Sequence, residues 1–126
     1  MFVLICGLPR AGKTTYSKKF ENVIHLDELR FMKSVQFRLR ENGTGDVAVD
    51  GVYHKANDRI SLLNEYKGLQ KVCIWLDTPV EMKQSRRGYD SRCEYPFEPP
   101  TLEEGWDEII IIRGEYEQRI SRQTED

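Results

Sequence analysis

The chain has 126 residues, of which 39% are apolar and 32% charged, a make-up typical of one soluble globular domain with its own core. Its three cysteines, Cys6, Cys73 and Cys93, are odd in number and widely spaced, which excludes a disulfide framework, and two histidines exclude a histidine-rich metal site. No apolar run reaches the roughly 18 residues of a membrane-spanning helix, and the opening MFVLIC lacks the basic start of a secretion signal. We therefore expect a cytoplasmic protein with reduced thiols and no membrane partner.

The net charge of −2 conceals an uneven distribution. Residues 1–40 hold eight Lys and Arg against three Asp and Glu, whereas residues 94–126 hold three against ten. Either exposed charge simply falls unevenly along the chain, or the N-terminal third faces polyanions such as nucleotide phosphates.

Apolar runs alternate with segments of helical periodicity. In chain order, the predicted strands cover residues 2–6, 23–26, 47–49, 72–76 and 108–112. The predicted helices cover residues 12–20, 28–40, 53–66, 79–84 and 114–122. Because short, continuously apolar strands alternate with helices, the sequence predicts an α/β fold, with helices on both faces of a parallel sheet. Residues 86–106 are too long for a routine connection, and such segments are usually lids or binding loops.

The stretch GLPRAGKTT follows the first predicted strand and fits the phosphate-binding pattern G-x-x-x-x-G-K-[ST]. Its two glycines let successive backbone N–H groups ring a phosphate, and the start of the helix adds its positive dipole end. Lys13 supplies a cation to the β- and γ-phosphates, and the Thr14 hydroxyl can bind Mg²⁺. The residues predicted to bind the nucleotide are Gly7, Leu8, Pro9, Arg10, Ala11, Gly12, Lys13, Thr14 and Thr15.

The rest of the chain narrows the class of phosphate-binding protein. A GTPase would carry a guanine-binding N-K-x-D, which is absent, and D-x-x-G after the third strand, where Asp50 is instead followed by GVY. A mechanical ATPase normally needs more chain. A small phosphotransferase remains, and it needs an acceptor site, a base and a closing lid.

The candidate base is Asp27, which comes just after the second predicted strand. Ligands of open α/β sheets collect at the carboxyl ends of strands, so this carboxylate should face the same crevice as the loop. There it can accept the proton of an acceptor hydroxyl or align that hydroxyl for in-line attack. Asp is also a favoured N-cap, and capping of the next helix is an equally good interpretation.

The predicted helix 28–40 has two distinct sides. Apolar residues gather on one, and the other carries three cations and one aromatic ring, namely Arg30, Lys33, Phe37 and Arg40. Such a stripe suits a strand of nucleic acid, although a solvated helix face has the same composition. Arg30 lies three residues from Asp27 and so near the acceptor.

Two further groups complete the predicted site. Asp50 ends the third strand, where an acidic residue can hold Mg²⁺ directly or through water, or can simply begin a turn. Arg86, Arg87 and Arg92 open the irregular segment. An arginine lid would place positive charge on the transferring phosphoryl group and exclude water, whereas a merely solvated loop is the alternative.

Together these features resemble the small P-loop kinases grouped around phage polynucleotide kinase, with zeta-toxin-like and seryl-tRNA kinases as relatives. The resemblance covers nearly the whole chain. It depends on five stretches in matching order and spacing: GLPRAGKTT, LDELR, VDGVYHKANDR, WLDTPVEMKQSRRG and FEPPTLEEGWDEIIII.

The resemblance implies a three-layer P-loop NTPase fold whose five-stranded parallel sheet has the order 2-3-1-4-5. It also implies that ATP and Mg²⁺ are the cofactors, bound by Lys13 and Thr14. A loop after the last strand often binds the adenine in such folds, here near residues 113–115. The segment ending in EGWD resembles a structural turn without chemistry.

The same resemblance gives roles to the remaining candidates. It implies that Asp27 is the general base and that Arg30 contacts the acceptor phosphate. It implies that a lid arginine, Arg87 or alternatively Arg86, stabilises the transferring phosphate.

The acceptor is the open question. The phosphatase domain of phage polynucleotide kinase has no counterpart in these residues, and the predicted acceptor helix ends early. A nucleic-acid 5′-hydroxyl is the best prediction. The alternatives are a small-molecule, nucleoside or sugar-nucleotide hydroxyl, which the overall acidity favours, and a nucleotide-binding module without catalysis, which the intact candidate catalytic residues disfavour.

Overall fold

The computed structural model describes residues 1–18, 23–25, 47–66 and 68–121. The strands are β1 (Phe2–Cys6), β2 (Val23–His25), β3 (Val47–Gly51), β4 (Lys71–Leu76), β5 (Glu108–Arg113) and β6 (Tyr116–Ser121). The helices are α1 (Lys13–Ser17), α2 (Ala56–Leu63) and α3 (Val80–Lys83), and 3₁₀ turns cover Asn64–Tyr66, Ser91–Cys93 and Leu102–Glu104. The α/β class predicted from the sequence is confirmed.

The described strands form one sheet in the order β2-β3-β1-β4-β5-β6. β1 pairs in parallel with β3 on one side and with β4 on the other. The β2–β3 and β4–β5 pairings are also parallel, whereas β6 runs antiparallel to β5. Because parallel strands end at the same edge, the loops that follow β1, β3 and β4 meet at one edge of the sheet.

Side chains of β1 alternate between two buried faces of the sheet. The face that we call the α2 face includes Phe2, Leu4, Cys6, Val49, Leu62 and Leu63. The opposite face, called the α1 face, includes Val3, Ile5, Ala11 and Ala48, with Tyr16 packed against them. Burial on both faces explains why β1 is a continuous apolar run, and each fully buried large side chain contributes about 1.5–3 kcal/mol.

The helix predicted over residues 114–122 is wrong, because this part of the chain forms β6. Arg113 and Tyr116 are register partners, so only Gly114 and Glu115 make the turn. Gly114 has a φ of 64°, which two-residue hairpin turns require at their first position and which glycine adopts without strain. Pairing prevails over helix formation because β6 satisfies the backbone groups along the edge of β5. The predicted five-stranded parallel sheet is thus corrected to a six-stranded mixed sheet.

The other predicted helices are shorter in the structure. Regular helix in the segment 53–66 begins only at Ala56, since Tyr53 has a left-handed φ of 43° and Lys55 is extended. α1 and α3 each begin one residue after their predicted start. The predicted helix 28–40 lies outside the described residues. None of the helices in the described part of the chain has the length and apolar character that crossing a membrane needs.

A buried guanidinium joins α2 to the second half of the irregular segment. Arg59 is fully buried, and its Nη2 lies 2.8 Å from Oε2 of Glu104. It also donates to the carbonyl oxygens of Tyr53 and Glu98, each at 2.7 Å. Glu104 in turn accepts a hydrogen bond of 2.9 Å from the Trp106 indole. This network fixes the chain before β5 to the α2 face.

The irregular segment therefore has two different halves. From Phe97 onward it covers the core, since the Phe97 ring stacks on Trp75 with 5.1 Å between ring centroids. Trp106 at the end of this half is fully buried. Arg86 and Arg87, in the first half, lie at the edge of the sheet where the loop after β1 is found.

Candidate phosphate-binding site

The loop of residues 7–12, called the glycine loop, connects β1 to α1. Gly7 lies so close to β4 that a Cβ atom there would be 2.7 Å from the carbonyl oxygen of Leu76. A side chain at this position would collide with backbone, so the sequence has glycine. The Gly7 N–H donates to the carbonyl oxygen of Val52 at 3.3 Å. The loop is thus fitted between the ends of β3 and β4.

Lys13, the first residue of α1, is buried, with 8% of its surface exposed. Its Nζ donates to the carbonyl oxygens of Gly7 and Leu8, each at 3.0 Å. The side chain therefore folds back onto the glycine loop, and its positive charge lies against the first two carbonyl oxygens of that loop. A buried ammonium needs polar partners, and these two carbonyl oxygens of the glycine loop are such partners.

A cavity of about 800 Å³ opens beside the glycine loop, a volume within the range of small-molecule and cofactor sites. Residues from Pro9 to Tyr16 line one side. The rest of the lining consists of Val52 after β3 and of Leu76, Thr78, Met82, Arg86, Arg87, Ile112 and Gly114 from β4 onward. Most residues predicted to bind the nucleotide therefore border one cavity, whereas Gly7 and Leu8 supply the carbonyl oxygens that hold Lys13.

Of the cavity lining contributed by β4, α3 and β5, the residues Thr78, Met82 and Ile112 were not predicted from the sequence, whereas Arg86, Arg87 and the loop that contains Gly114 were. Thr78 Oγ1 donates to the carbonyl oxygen of Ala11 at 2.8 Å, which ties the end of β4 to the glycine loop. This residue could have been found, because it follows a buried strand at the same edge of the sheet. Met82 and Ile112 could not have been found in this way, since no motif or spacing in the sequence distinguishes them.

Tyr16 places a neutral hydroxyl at the cavity. Burial raises the pKa of this hydroxyl above its usual value, and the neighbouring Glu117 carboxylate raises it further, while Arg119 acts in the opposite direction. The phenol therefore keeps its proton at neutral pH and can donate a hydrogen bond.

Asp50 lies inside β3, next to Ile5 of β1, and is 2% exposed. Asp50 comes two residues after Ala48 in the same strand, and residues two apart point to the same side of a sheet. Its side chain therefore lies on the α1 face. Of the two interpretations that the sequence allowed, the turn residue is excluded because Asp50 is within a strand.

The donor atoms near the loop suit a magnesium ion better than a metal held by protein alone. Among the described residues, no three His, Cys, Asp or Glu side chains come together as a metal site. Mg²⁺ does not need such a cluster, because it keeps several waters and binds through one or two protein oxygens together with substrate phosphates. The Thr14 residue lines the cavity, and the buried Asp50 carboxylate lies in β3 without lining it; both side chains carry oxygen donors of the kind that fits Mg²⁺ bound with a nucleotide.

The three candidate lid arginines differ in position. Arg86 and Arg87 line the cavity. Arg92 is exposed and pairs with Asp90 at 2.7 Å instead. Arg86 is also tied to the glycine loop, since its Nη1 donates to the carbonyl oxygen of Arg10.

The predicted base Asp27 and the predicted acceptor contact Arg30 lie outside the described residues. The described part of β2 ends at His25, whose register partner on β3 is Asp50. The roles of Asp27 and Arg30 stay predictions.

A comparison of the chain with models of protein families gives no match, and neither does a search among curated proteins. The resemblance to polynucleotide kinases therefore depends on the five sequence stretches alone.

Proposed function

We propose that this protein is a P-loop kinase that uses ATP and Mg²⁺ to phosphorylate a hydroxyl group, with the 5′-hydroxyl of a polynucleotide as the best candidate. The observation that supports this most is the position of Lys13, whose buried ammonium lies within the glycine loop beside a cavity of nucleotide size. Arg86 and Arg87 at the same cavity favour group transfer over simple binding, because positive charge stabilises a transferring phosphoryl group. The order of the parallel strands is compatible with the proposed three-layer P-loop NTPase fold.

In this proposal, the triphosphate binds in the glycine loop. The backbone N–H groups of the loop and Lys13 Nζ bind the β- and γ-phosphates, and Nζ exchanges two carbonyl oxygens for stronger, charged acceptors. Thr14 and Asp50 would hold Mg²⁺, Asp50 directly or through water. The ion, when bound, neutralises charge on the β- and γ-phosphate oxygens.

The adenine is proposed to bind at the apolar side of the cavity. Met82 and Ile112 offer apolar surface there, next to Gly114 at the β5–β6 turn. A flat base buries apolar area against such side chains, and the Tyr16 hydroxyl supplies a donor near them.

The transfer itself follows from the proposed roles. The acceptor oxygen attacks the γ-phosphorus in line, the bond to the β–γ bridging oxygen breaks, and ADP leaves. Asp27 takes the proton of the acceptor hydroxyl, and Arg30 binds the acceptor phosphate. Arg86 and Arg87 stabilise the charge of the transferring group.

The acceptor is identified by incubating the protein with ATP labelled at the γ-phosphate and with separate acceptors: 5′-hydroxyl DNA, 5′-hydroxyl RNA, nucleosides and a sugar nucleotide. We expect label on the nucleic acids, lost on chelation of Mg²⁺ and absent from the same oligonucleotides with a 5′-phosphate. Label on nucleosides or sugar nucleotides alone would move the acceptor to that class. If none of these acceptors is labelled, the kinase proposal is contradicted, and a nucleotide-binding module without catalysis becomes the better interpretation.

Replacement of Asp27 by asparagine tests the proposed base. Asn keeps the size of the side chain but cannot accept the hydroxyl proton, so we expect turnover to fall by about 10²-fold while ATP affinity is retained. Glu28→Gln, which neutralises the adjacent carboxylate, is the control and should leave turnover unchanged. Equal turnover of Asp27→Asn and the wild type would remove Asp27 as the base.

Replacement of Arg87 by alanine tests the lid. We expect kcat to fall by about 10²-fold or more, with a much smaller change in Mg·ATP affinity, because the guanidinium acts on charge that develops in the transition state. Arg92→Ala is the matched control, since Arg92 pairs with Asp90 and does not line the cavity. If Arg92→Ala has the larger effect, the assignment of the lid arginine is wrong.

A further inference from the structure

Arg10 has a backbone conformation that is unusual for its residue type. Its φ is 70°, in the left-handed region, and among the described non-glycine residues only Tyr53 shares a positive φ. A residue with a side chain is strained there, whereas glycine is not. The glycine loop therefore accepts strain at this position, which points to a task for the Arg10 side chain.

The side chain of Arg10 lies against residues 86–90, which we call the arginine turn. Its guanidinium covers Gly88, since a Cβ atom built on Gly88 would be 2.5 Å from Nη2 and 2.9 Å from Cζ of Arg10. The charge of Arg10 also acts on Asp90. Hydrogen bonds from Arg92 lower the pKa of this carboxyl, and the charge of Arg10 lowers it further. Arg10 thus extends from the loop to the segment after α3.

The backbone of Arg10 makes a second contact with the same turn, because its carbonyl oxygen accepts the hydrogen bond from Arg86 Nη1. The same Nη1 is 3.4 Å from the position of a Cβ atom on Gly12. One residue of the glycine loop therefore holds the arginine turn through both its carbonyl oxygen and its guanidinium.

The arginine turn has little regular structure of its own to fix its side chains. α3, which precedes it, has four residues. The buried Lys83 ammonium and the partly exposed Glu94 carboxylate form an ion pair of 2.7 Å. This pair joins the chain before the turn to the chain after it. Long arginine side chains on such a segment lose much rotamer freedom when they are placed over a ligand, and a contact formed beforehand reduces that cost.

We propose that Arg10 is a positioning residue that fastens the arginine turn to the glycine loop and so holds Arg86 and Arg87 over the cavity before the nucleotide binds. The contact does not depend on the proposed function, whereas its effect on turnover rests on that function.

Hydrogen exchange of residues 86–94, measured without nucleotide, tests the contact. Arg10→Gly removes the guanidinium and relieves the strain of the loop, and we expect exchange in the turn to rise by about 10-fold. Gly88→Ala displaces the flexible end of Arg10 and should have the same effect. Gly68→Ala is the matched control: its φ of 90° is close to the 83° of Gly88, but no atom lies within 4 Å of its Cβ position, so exchange in the turn should not change.

Steady-state kinetics then separate positioning from phosphate binding. We expect Arg10→Gly to lower kcat by about 10-fold or more, with a KM for ATP that changes by less than about 2-fold. Arg10→Lys should not restore kcat, because an ammonium cannot lie flat on Gly88 as a guanidinium does. The double variant Arg10→Gly/Gly88→Ala should be no slower than Arg10→Gly alone, since both changes break one contact.

Unchanged exchange in both Arg10→Gly and Gly88→Ala would overturn the proposal. So would a KM for ATP that rises by about 10-fold at constant kcat in Arg10→Gly, which would make Arg10 a phosphate ligand instead. A wild-type protein without turnover would contradict the proposed kinase function alone, and the exchange experiment would then decide on the contact by itself.

Discussion

Replacement of Lys13 by methionine is expected to lower kcat/KM for phosphoryl transfer by about 10³-fold, or ~4 kcal/mol of transition-state stabilisation. Methionine keeps much of the apolar stem but removes the ammonium that lies within the glycine loop. That charge is proposed to bind the β- and γ-phosphates, where negative charge is concentrated in both the ground state and the transition state. We expect ATP binding, measured by calorimetry, to weaken as well.

The control for this substitution is Lys18→Met. Lys18 is an exposed lysine directly after α1 and does not line the cavity. The Lys18→Met variant should have the wild-type kcat/KM for phosphoryl transfer, and thermal unfolding should show that both variants are folded. Wild-type kcat/KM in a folded Lys13→Met protein would remove the glycine loop from the reaction and with it the proposed function.

Replacement of Arg59 by methionine is expected to lower the free energy of unfolding by about 3–5 kcal/mol, because it leaves a buried carboxylate without its partner. Arg59 and Glu104 are 0% and 4% exposed, and their closest atoms are 2.8 Å apart. The substitution also removes the donors that hold the carbonyl oxygens of Tyr53 and Glu98. Urea unfolding followed by tryptophan fluorescence measures the loss.

Two further variants make this prediction specific. Arg119→Met breaks an exposed ion pair with Glu117 on β6, where both side chains are about half exposed. Because water screens that pair, the urea midpoint of unfolding should change little. Arg59→Met/Glu104→Leu should be less destabilised than Arg59→Met, since no unpaired charge remains. If Arg59→Met is as mild as Arg119→Met, the buried network contributes little to stability.

β1 and β4 were predictable because each is a short apolar run whose burial on both faces makes the pattern unambiguous. β1 forms at its predicted bounds, and the glycine loop follows it as the local pattern requires. The last segment of the sheet, β6, lacks such a pattern. EYEQRI alternates poorly and has no strong helix or strand signal, so the outcome was decided by pairing with β5 and by the tight turn at Gly114.

Contacts between distant parts of the chain were not predictable in the same way. Arg59 lies in a stretch that looks like an ordinary exposed helix, and its partner Glu104 is 45 residues further on. Arg86 and the carbonyl oxygen of Arg10 are 76 residues apart. No periodicity or spacing in the sequence indicates either pair.

The sequence by itself determined the α/β class and the loop with its lysine, because these depend on local conformation and on hydrophobic pattern. Tertiary structure alone decided which arginines meet that loop and which residue balances the buried charge of Arg59. It also decided that residues 116–121 add an antiparallel strand to the sheet. The physical reason is that each of these depends on the distance between groups far apart in the chain, which is fixed only when the sheet has assembled around its core.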